Sequence, residues 1–187
     1  HIGEKLGYAD EKISSGCARE LIEREYDPLS VMLIENADSA GFVVTHGLED
    51  DAFERDEVPM TKAEIRSISL SKLRLTQGAV AYDVGSGSGS VSVEMAMQAF
   101  RGTVYAIEMK DNAVALTQKN KEKFSLMNLE VIHGKAPEAL NDLPAPTHAF
   151  IGGSSGSMKG IIDCLLNKNP HVRIVINAVT LETDSEL

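Results

Sequence analysis

The chain has 187 residues, 43% of them hydrophobic and 25% charged, a composition that supports a packed core and excludes an intrinsically disordered polypeptide. Its formal net charge of -10 excludes the broad phosphate neutralisation that nucleic-acid binding requires, which leaves small-molecule chemistry as the expectation. Apolar runs are short and interrupted, and the only cysteines, Cys17 and Cys164, are far apart, so no membrane span, secretory signal, disulfide framework or cysteine zinc site is expected, and the cytoplasm is the expected compartment.

Near the N-terminus, residues 17–25 carry a helical pattern, and Val31-Met32-Leu33-Ile34, after Asp27-Pro28-Leu29-Ser30, is a short apolar run suited to a buried strand. One helix and one strand cannot build an independent core, so residues 1–47 read as a fragment of a domain or as a piece that packs on something else. Residues 49–57 read EDDAFERDE, six acids against the single Arg55, and Pro59 follows. Such a charge block predicts a solvated linker over residues 48–60, with the main domain over 61–187. Thr61-Lys62-Ala63-Glu64 has the spacing of a capping box and predicts a helix over 62–73 with Ile65, Ile68 and Leu73 inward.

Beyond it, strands are predicted over 80–84, 104–108, 129–133, 147–151 and 172–178, and helices over 90–100, 111–124 and 158–166. The alternation predicts an α/β, Rossmann-like domain with a mostly parallel sheet and helices on both faces.

The first of these strands runs into Asp83-Val84-Gly85-Ser86-Gly87-Ser88-Gly89. Glycines at a strand-to-helix turn let the backbone approach a ligand where a Cβ would collide, so a nucleotide-like ligand is implied. The dinucleotide fingerprint G-x-G-x-x-G is not matched: from Gly85 the order is G-S-G-S-G-S, with Ser90 in the place of the third glycine. Asp83 is unwelcome beside a pyrophosphate but suits a ligand with an ammonium group and no phosphate, such as the methionine part of S-adenosylmethionine, directly or through water. Glu108, at the tip of the second strand, can accept from both hydroxyls of a ribose, in nicotinamide and methyl-donor enzymes alike. Simpler roles stand beside these: Asp83 as a helix cap, the glycine run as a loop without ligand, Glu108 as a solvated acid.

A second glycine-rich stretch, Ile151-Gly152-Gly153-Ser154-Ser155-Gly156, and Asn177-Ala178 follow two later strands, and both should face the same crevice, as acceptor-side residues or as plain turns. The five histidines form no metal spacing, and His133 and His148 lie within or beside apolar strand runs, so no metal is expected. No catalytic side chain can be assigned from sequence.

Residues 57–187 resemble the decarboxylating methyltransferase domain of the precorrin-6Y C5,15-methyltransferases of cobalamin biosynthesis. The resemblance is carried by Val58-Pro59-Met60-Thr61-Lys62, Ser69-Leu70-Ser71-Lys72-Leu73, Asp83 to Gly89, Gly134-Lys135-Ala136-Pro137-Glu138-Ala139-Leu140, Phe150 to Gly153, and Asn177-Ala178-Val179-Thr180-Leu181-Glu182-Thr183. Residues 1–47 resemble the C-terminal end of the tetrapyrrole methylase domain that precedes it in the fused enzyme, through Gly3-Glu4-Lys5-Leu6-Gly7-Tyr8, Asp27 to Val31 and Ile34-Glu35-Asn36.

The resemblance implies a class I S-adenosylmethionine-dependent methyltransferase that methylates C15 of a tetrapyrrole and removes carbon dioxide from an acetate side chain. It implies donor contacts from Thr61, Gly85, Ser86, Gly87, Ser88, Gly89, Glu108 and Ala136, and a homo-oligomer, a tetramer in the family. The sequence departs from the family at Lys135, where an acid is usual, and the domain over 61–187 is expected to lack the usual final antiparallel hairpin. A polycarboxylate acceptor needs a local basic surface in so acidic a chain; Lys62, Arg66, Lys72 and Arg74, with Glu64 the one acid from Thr61 to Leu75, offer one, or are merely a solvated helix face. The competing functions are a nicotinamide-dependent oxidoreductase and a donor-binding domain without catalysis.

Overall fold

The computed structural model describes residues 1–35 and 46–178. Asn36 and residues 179–183, on which part of the family resemblance rests, lie outside the described residues. The chain divides into two compact units, residues 1–43 and 44–187.

In the first unit, β1 (Ile2–Glu4) pairs antiparallel with both β2 (Lys12–Ser14) and β3 (Ser30–Met32), and a single helical turn, α1 (Ala18–Leu21), lies between β2 and β3 in sequence. The helix is shorter than the pattern over 17–25 predicts, and β1 and β2 are not legible in it. The apolar run at 31–34 is no buried strand: Val31, Met32, Leu33 and Ile34 are all exposed. With three residues per strand the sheet has too little area to cover them, and Ile2 and Leu21 are the only buried large apolar side chains among the described residues of this unit.

Among the described residues the second unit holds a five-stranded parallel sheet: β4 (Val80–Val84), β5 (Thr103–Glu108), β6 (Leu129–His133), β7 (His148–Ile151) and β8 (Arg173–Ile176), in the order β6-β5-β4-β7-β8. The helices are α2 (Ala63–Leu73), α3 (Ser90–Gln98), α4 (Asp111–Lys123) and α5 (Met158–Lys168). The first strand is central, so the chain builds outward through β5 and β6, then crosses back to lay β7 on the other side of β4. That reversal opens a crevice at the carboxyl ends of β4 and β7. Alternation along β4 separates two cores: Ala81 packs with Leu70, Leu73, Val91, Met95 and Val104, while Tyr82 and Val84 pack with Ile107, Leu140, Ile151, Ile161 and Leu165.

The acidic segment expected as a solvated linker packs onto this unit instead. Asp50–Ala52 form a 3-10 turn, and Phe53, 3% exposed, enters the core beside the Phe124 ring, 5.2 Å between centroids. Asp50 Oδ1 accepts from the Ala63 amide at 3.1 Å and Asp50 Oδ2 pairs with Lys62 at 3.0 Å, so Asp50 caps α2 in place of the Thr61–Glu64 box. Against the effect of its burial, the Lys62 ammonium and the Arg66 guanidinium hold the Asp50 carboxyl below the usual carboxylate range.

Arg66 carries the rest. Fully buried, it donates through Nε to Glu94, through Nη1 to the Thr61 carbonyl and to Asp50, and through Nη2 to the Leu48 carbonyl, with its guanidinium 4.7 Å from the centre of the Phe53 ring. Glu94 in turn accepts from the amides of Gly47 at 2.6 Å and Leu48 at 3.1 Å. The inward face of α2 is therefore Arg66, Ser69, Leu70 and Leu73, while Ile65 and Ile68, expected inward, stand 48% and 58% exposed. A two-pronged polar anchor outcompetes the apolar periodicity in setting the rotation of this helix.

Removing one partner of a buried, hydrogen-bonded ion pair leaves the other charge uncompensated, so Arg66→Ala is expected to lower stability by about 3–5 kcal/mol. Urea unfolding of wild type and variant measures this, and a loss within the range of an exposed substitution would refute the anchor.

Candidate functional site

The crevice is a cavity of about 510 Å³ at the carboxyl ends of β4, β5, β7 and β8. The turn after β4 forms its floor. Gly85 has φ +75°, and a Cβ there would lie 2.7 Å from the Gly153 carbonyl oxygen, so the loops after β4 and β7 touch through bare backbone. Gly89, at φ +77°, caps α3, and a Cβ would meet Thr117 of α4 at 2.7 Å.

Glu108, the last residue of β5, is fixed by the backbone around it. Its Oε1 accepts from Met109 and Lys110 at 2.8 and 3.0 Å, and its Oε2 accepts from Gly87 at 3.0 Å. Three of the four acceptor positions of the carboxylate are filled, so Oε2 retains one for a group in the cavity. Ser86 also lines the cavity, and its buried Oγ has no partner among the described residues. An orphaned hydroxyl, a carboxylate with one open acceptor position and a glycine turn without Cβ atoms suit a polar, nucleoside-bearing ligand.

Of the donor-contact residues expected from the sequence, Thr61, Gly85, Ser86, Gly87, Glu108 and Ala136 line the cavity, and so do the acceptor-side candidates Lys62, Gly152, Gly153 and Asn177. Asp83, Ser88, Gly89 and Arg66 do not. Ser88 and Gly89 lie behind the turn, where Asn120 of α4 donates to the Ser88 carbonyl at 2.9 Å. Arg66, enclosed by Glu94, Asp50 and two carbonyls, is unavailable to a substrate, which corrects its placement in a docking patch.

Asp83 stands behind the cavity, outside its lining. It is 1% exposed, on the α3 side of β4, where Ser92 Oγ donates to its Oδ2, while its Oδ1 is buried without a partner among the described residues. Burial raises its carboxyl to about 7, the Ser92 hydrogen bonds oppose the rise, and the nearby Glu108 charge adds to it.

Several lining residues are absent from the sequence reading of the site. Val58, Pro59 and Met60 form one wall because the segment before α2 is held down by Arg66, a contact no local pattern shows. Met109, Lys110 and Lys135 follow β5 and β6, and their position past strand ends in a parallel sheet is a signal that could have found them. Among the described residues that line the cavity, Lys110, Lys135 and Lys62, the last paired with Asp50 outside the lining, stand with one acid, Glu108, in a chain of net charge -10. Asn177, just beyond β8, accepts at Oδ1 from Ser69 Oγ of α2 at 3.3 Å.

The family model of the precorrin methyltransferase domain matches residues 51–187. A protein of Pyrobaculum calidifontis named "Probable cobalt-precorrin-6B C(15)-methyltransferase (decarboxylating)" is 46% identical over 142 residues, 74% of this chain and 73% of that protein. A Sinorhizobium protein named precorrin-6Y C(5,15)-methyltransferase [decarboxylating] is 33% identical over 188 residues, 98% of this chain and 45% of that protein. Among solved structures, precorrin-6y C5,15-methyltransferase from Geobacter metallireducens superposes with a TM-score of 0.72 at 39% identity, over 75% of this chain and 76% of that one. The fold is the Rossmann-like fold of S-adenosylmethionine-dependent methyltransferases. Among the described residues no helix is long and apolar enough to cross a membrane.

The Asp83 carboxyl gives a test of this geometry. An acid whose folded-state value lies above its unfolded one binds the extra proton in the native state, so its contribution to stability is present below the unfolded value and declines as pH rises toward about 7. D83N lacks that titration and is expected to gain stability relative to wild type as pH rises from about 5 to about 8, as followed by paired thermal melts. A difference that stays flat across this range would place the carboxyl in water.

Proposed function

The chain belongs to the precorrin methyltransferase family, and we propose that it transfers a methyl group from S-adenosylmethionine to C15 of a precorrin, with decarboxylation of an acetate side chain, in cobalamin biosynthesis. The observation that carries this reading is the cavity itself: a glycine turn, the orphaned Ser86 hydroxyl and the immobilised Glu108 carboxylate meet at the switch point of the sheet.

On this reading Thr61, Gly85, Ser86, Gly87, Glu108 and Ala136 hold the donor, Glu108 taking a ribose hydroxyl on the open position of Oε2. Asp83, Ser88 and Gly89 act from behind by shaping the turn. Lys62, Gly152, Gly153 and Asn177 face the acceptor, with Lys62, Lys110 and Lys135 offsetting the negative charge that a polycarboxylate brings to an acidic protein. When bound, S-adenosylmethionine supplies an electrophilic methyl group on a sulfonium. The protein's part is to align the acceptor carbon with that methyl and to exclude water, and no side chain is required as a strong base. As carbon dioxide leaves, the electron pair of the broken C–C bond flows into the conjugated macrocycle, so the substrate is its own electron sink; the side-chain carbon then takes up a proton and the methylated carbon gives one up, so no net proton is required.

We infer in addition that the first unit corresponds to the C-terminal end of a tetrapyrrole methylase domain, supported by Gly3 to Tyr8 and Asp27 to Val31 and by the Sinorhizobium relative, which aligns with 98% of this chain. A nicotinamide-dependent oxidoreductase is not favoured, because its glycine spacing is absent and the relatives named above are methyltransferases.

Calorimetric titration tests the donor assignment. S-adenosylmethionine is expected to bind and NAD is not, and Glu108→Ala is expected to weaken donor binding about 10- to 100-fold, the worth of a hydrogen bond to a charged group. Binding of NAD alone would overturn the reading. Donor binding without a gain of methyl and loss of carbon dioxide in the tetrapyrrole, read by mass spectrometry, would leave a binding domain without catalysis.

A further inference from the structure

Ile65 and Ile68 are exposed although both belong to a helix that packs on the core. Residues 65, 68 and 72 share one face of α2, beside the face on which Ser69, Leu70 and Leu73 are buried. Ile65 lines the cavity, and Ile68 continues the same face beyond it. Scattered exposed apolar residues are ordinary, but two adjacent branched ones that extend a ligand cavity form a continuous apolar wall. Lys72 closes the far end of this face, and Glu64 is the only acid between residues 61 and 75.

We propose that this face of α2 is the platform on which the acceptor macrocycle lies, with Ile65 and Ile68 against the ring and Lys72 facing its carboxylates. The assignment rests on the methyl-transfer reading above. Two observations select this occupant. The wall is continuous with the cavity in which the methyl would be delivered, so a ring resting on it has one edge at the reaction centre. Its positive end, Lys72, also complements a polycarboxylate. Ile65 and Ile68 would then determine acceptor affinity and leave the donor to the floor of the cavity.

Uroporphyrin, a fluorescent octacarboxylate macrocycle, serves as the probe, titrated into the full chain with S-adenosylhomocysteine present. Ile68→Ser and Lys72→Glu are each expected to weaken porphyrin binding about tenfold. Donor affinity should be unchanged in both. Met127→Ser, at a residue 93% exposed in the turn before β6, should behave as wild type. Porphyrin binding equal in wild type and variants would overturn the platform and leave the donor reading standing, as would wild-type donor binding with no porphyrin binding. Failure of wild type to bind the donor would overturn the methyl-transfer reading itself. Sedimentation of the same variants supplies the remaining arm: loss of an oligomer in step with loss of porphyrin binding would make the face an interface between copies and overturn the proposal.

Discussion

The ion pair between Arg66 and Glu94 is the constraint on which the site depends. Neither residue could stay buried alone, because an isolated charge in a low-dielectric interior is strongly destabilising. Together they also take up the backbone of a third element: Arg66 holds the carbonyls of Leu48 and Thr61, and Glu94 holds the amides of Gly47 and Leu48. The segment before α2 is thus fixed to α3 at one end and to α2 at the other. Its middle, Val58 to Met60, becomes a wall of the cavity, and Pro59 brings its carbonyl oxygen to 3.0 Å from where a Cβ on Gly87 would lie. Without the anchor the glycine turn would face solvent on that side.

The same anchor explains why α2 is turned as it is. A helix placed by its apolar periodicity would have buried Ile65 and Ile68, and then no apolar surface would adjoin the cavity mouth. With Arg66 inward, Ser69 comes to rest against Asn177 beyond β8, and the two isoleucines are left in the open. One long-range electrostatic contact therefore decides both what stabilises the helix and which surface it presents.

Most of the sheet was legible in the sequence because each strand is short, apolar and closed by a turn signal. Residues 80–84 and 129–133 are strands over the expected spans, and the last strand ends at Ile176, two residues short of the expected 178. Asn177 consequently sits in the loop beyond the strand and lines the cavity. The glycine turn and Glu108 were legible for the same local reason. What was not legible depends on partners distant in sequence. Arg66 and Glu94 are 28 residues apart, and Asp50 lies in a charge block that local composition marks as solvent-exposed. Nothing in the pattern Val31 to Ile34 tells a buried strand from an exposed one, since the difference lies in how much sheet is available to cover it.

Two acids end up close to the turn, and the structure treats them oppositely. Glu108 receives three backbone amides and faces the cavity, whereas Asp83 receives the Ser92 hydroxyl from the opposite side of β4 and is pushed up to about 7. Both follow from position on adjacent parallel strands: Asp83 is one residue short of the end of β4 and points into the helix layer, while Glu108 is the final residue of β5 and its carboxylate turns back over the neighbouring loop. An acid in the motif is thus no guarantee of an acid in the site. The strand register decides which carboxylate lines the cavity, and of these two it is Glu108, with Lys110 and Lys135 on the same lining in a chain of net charge -10.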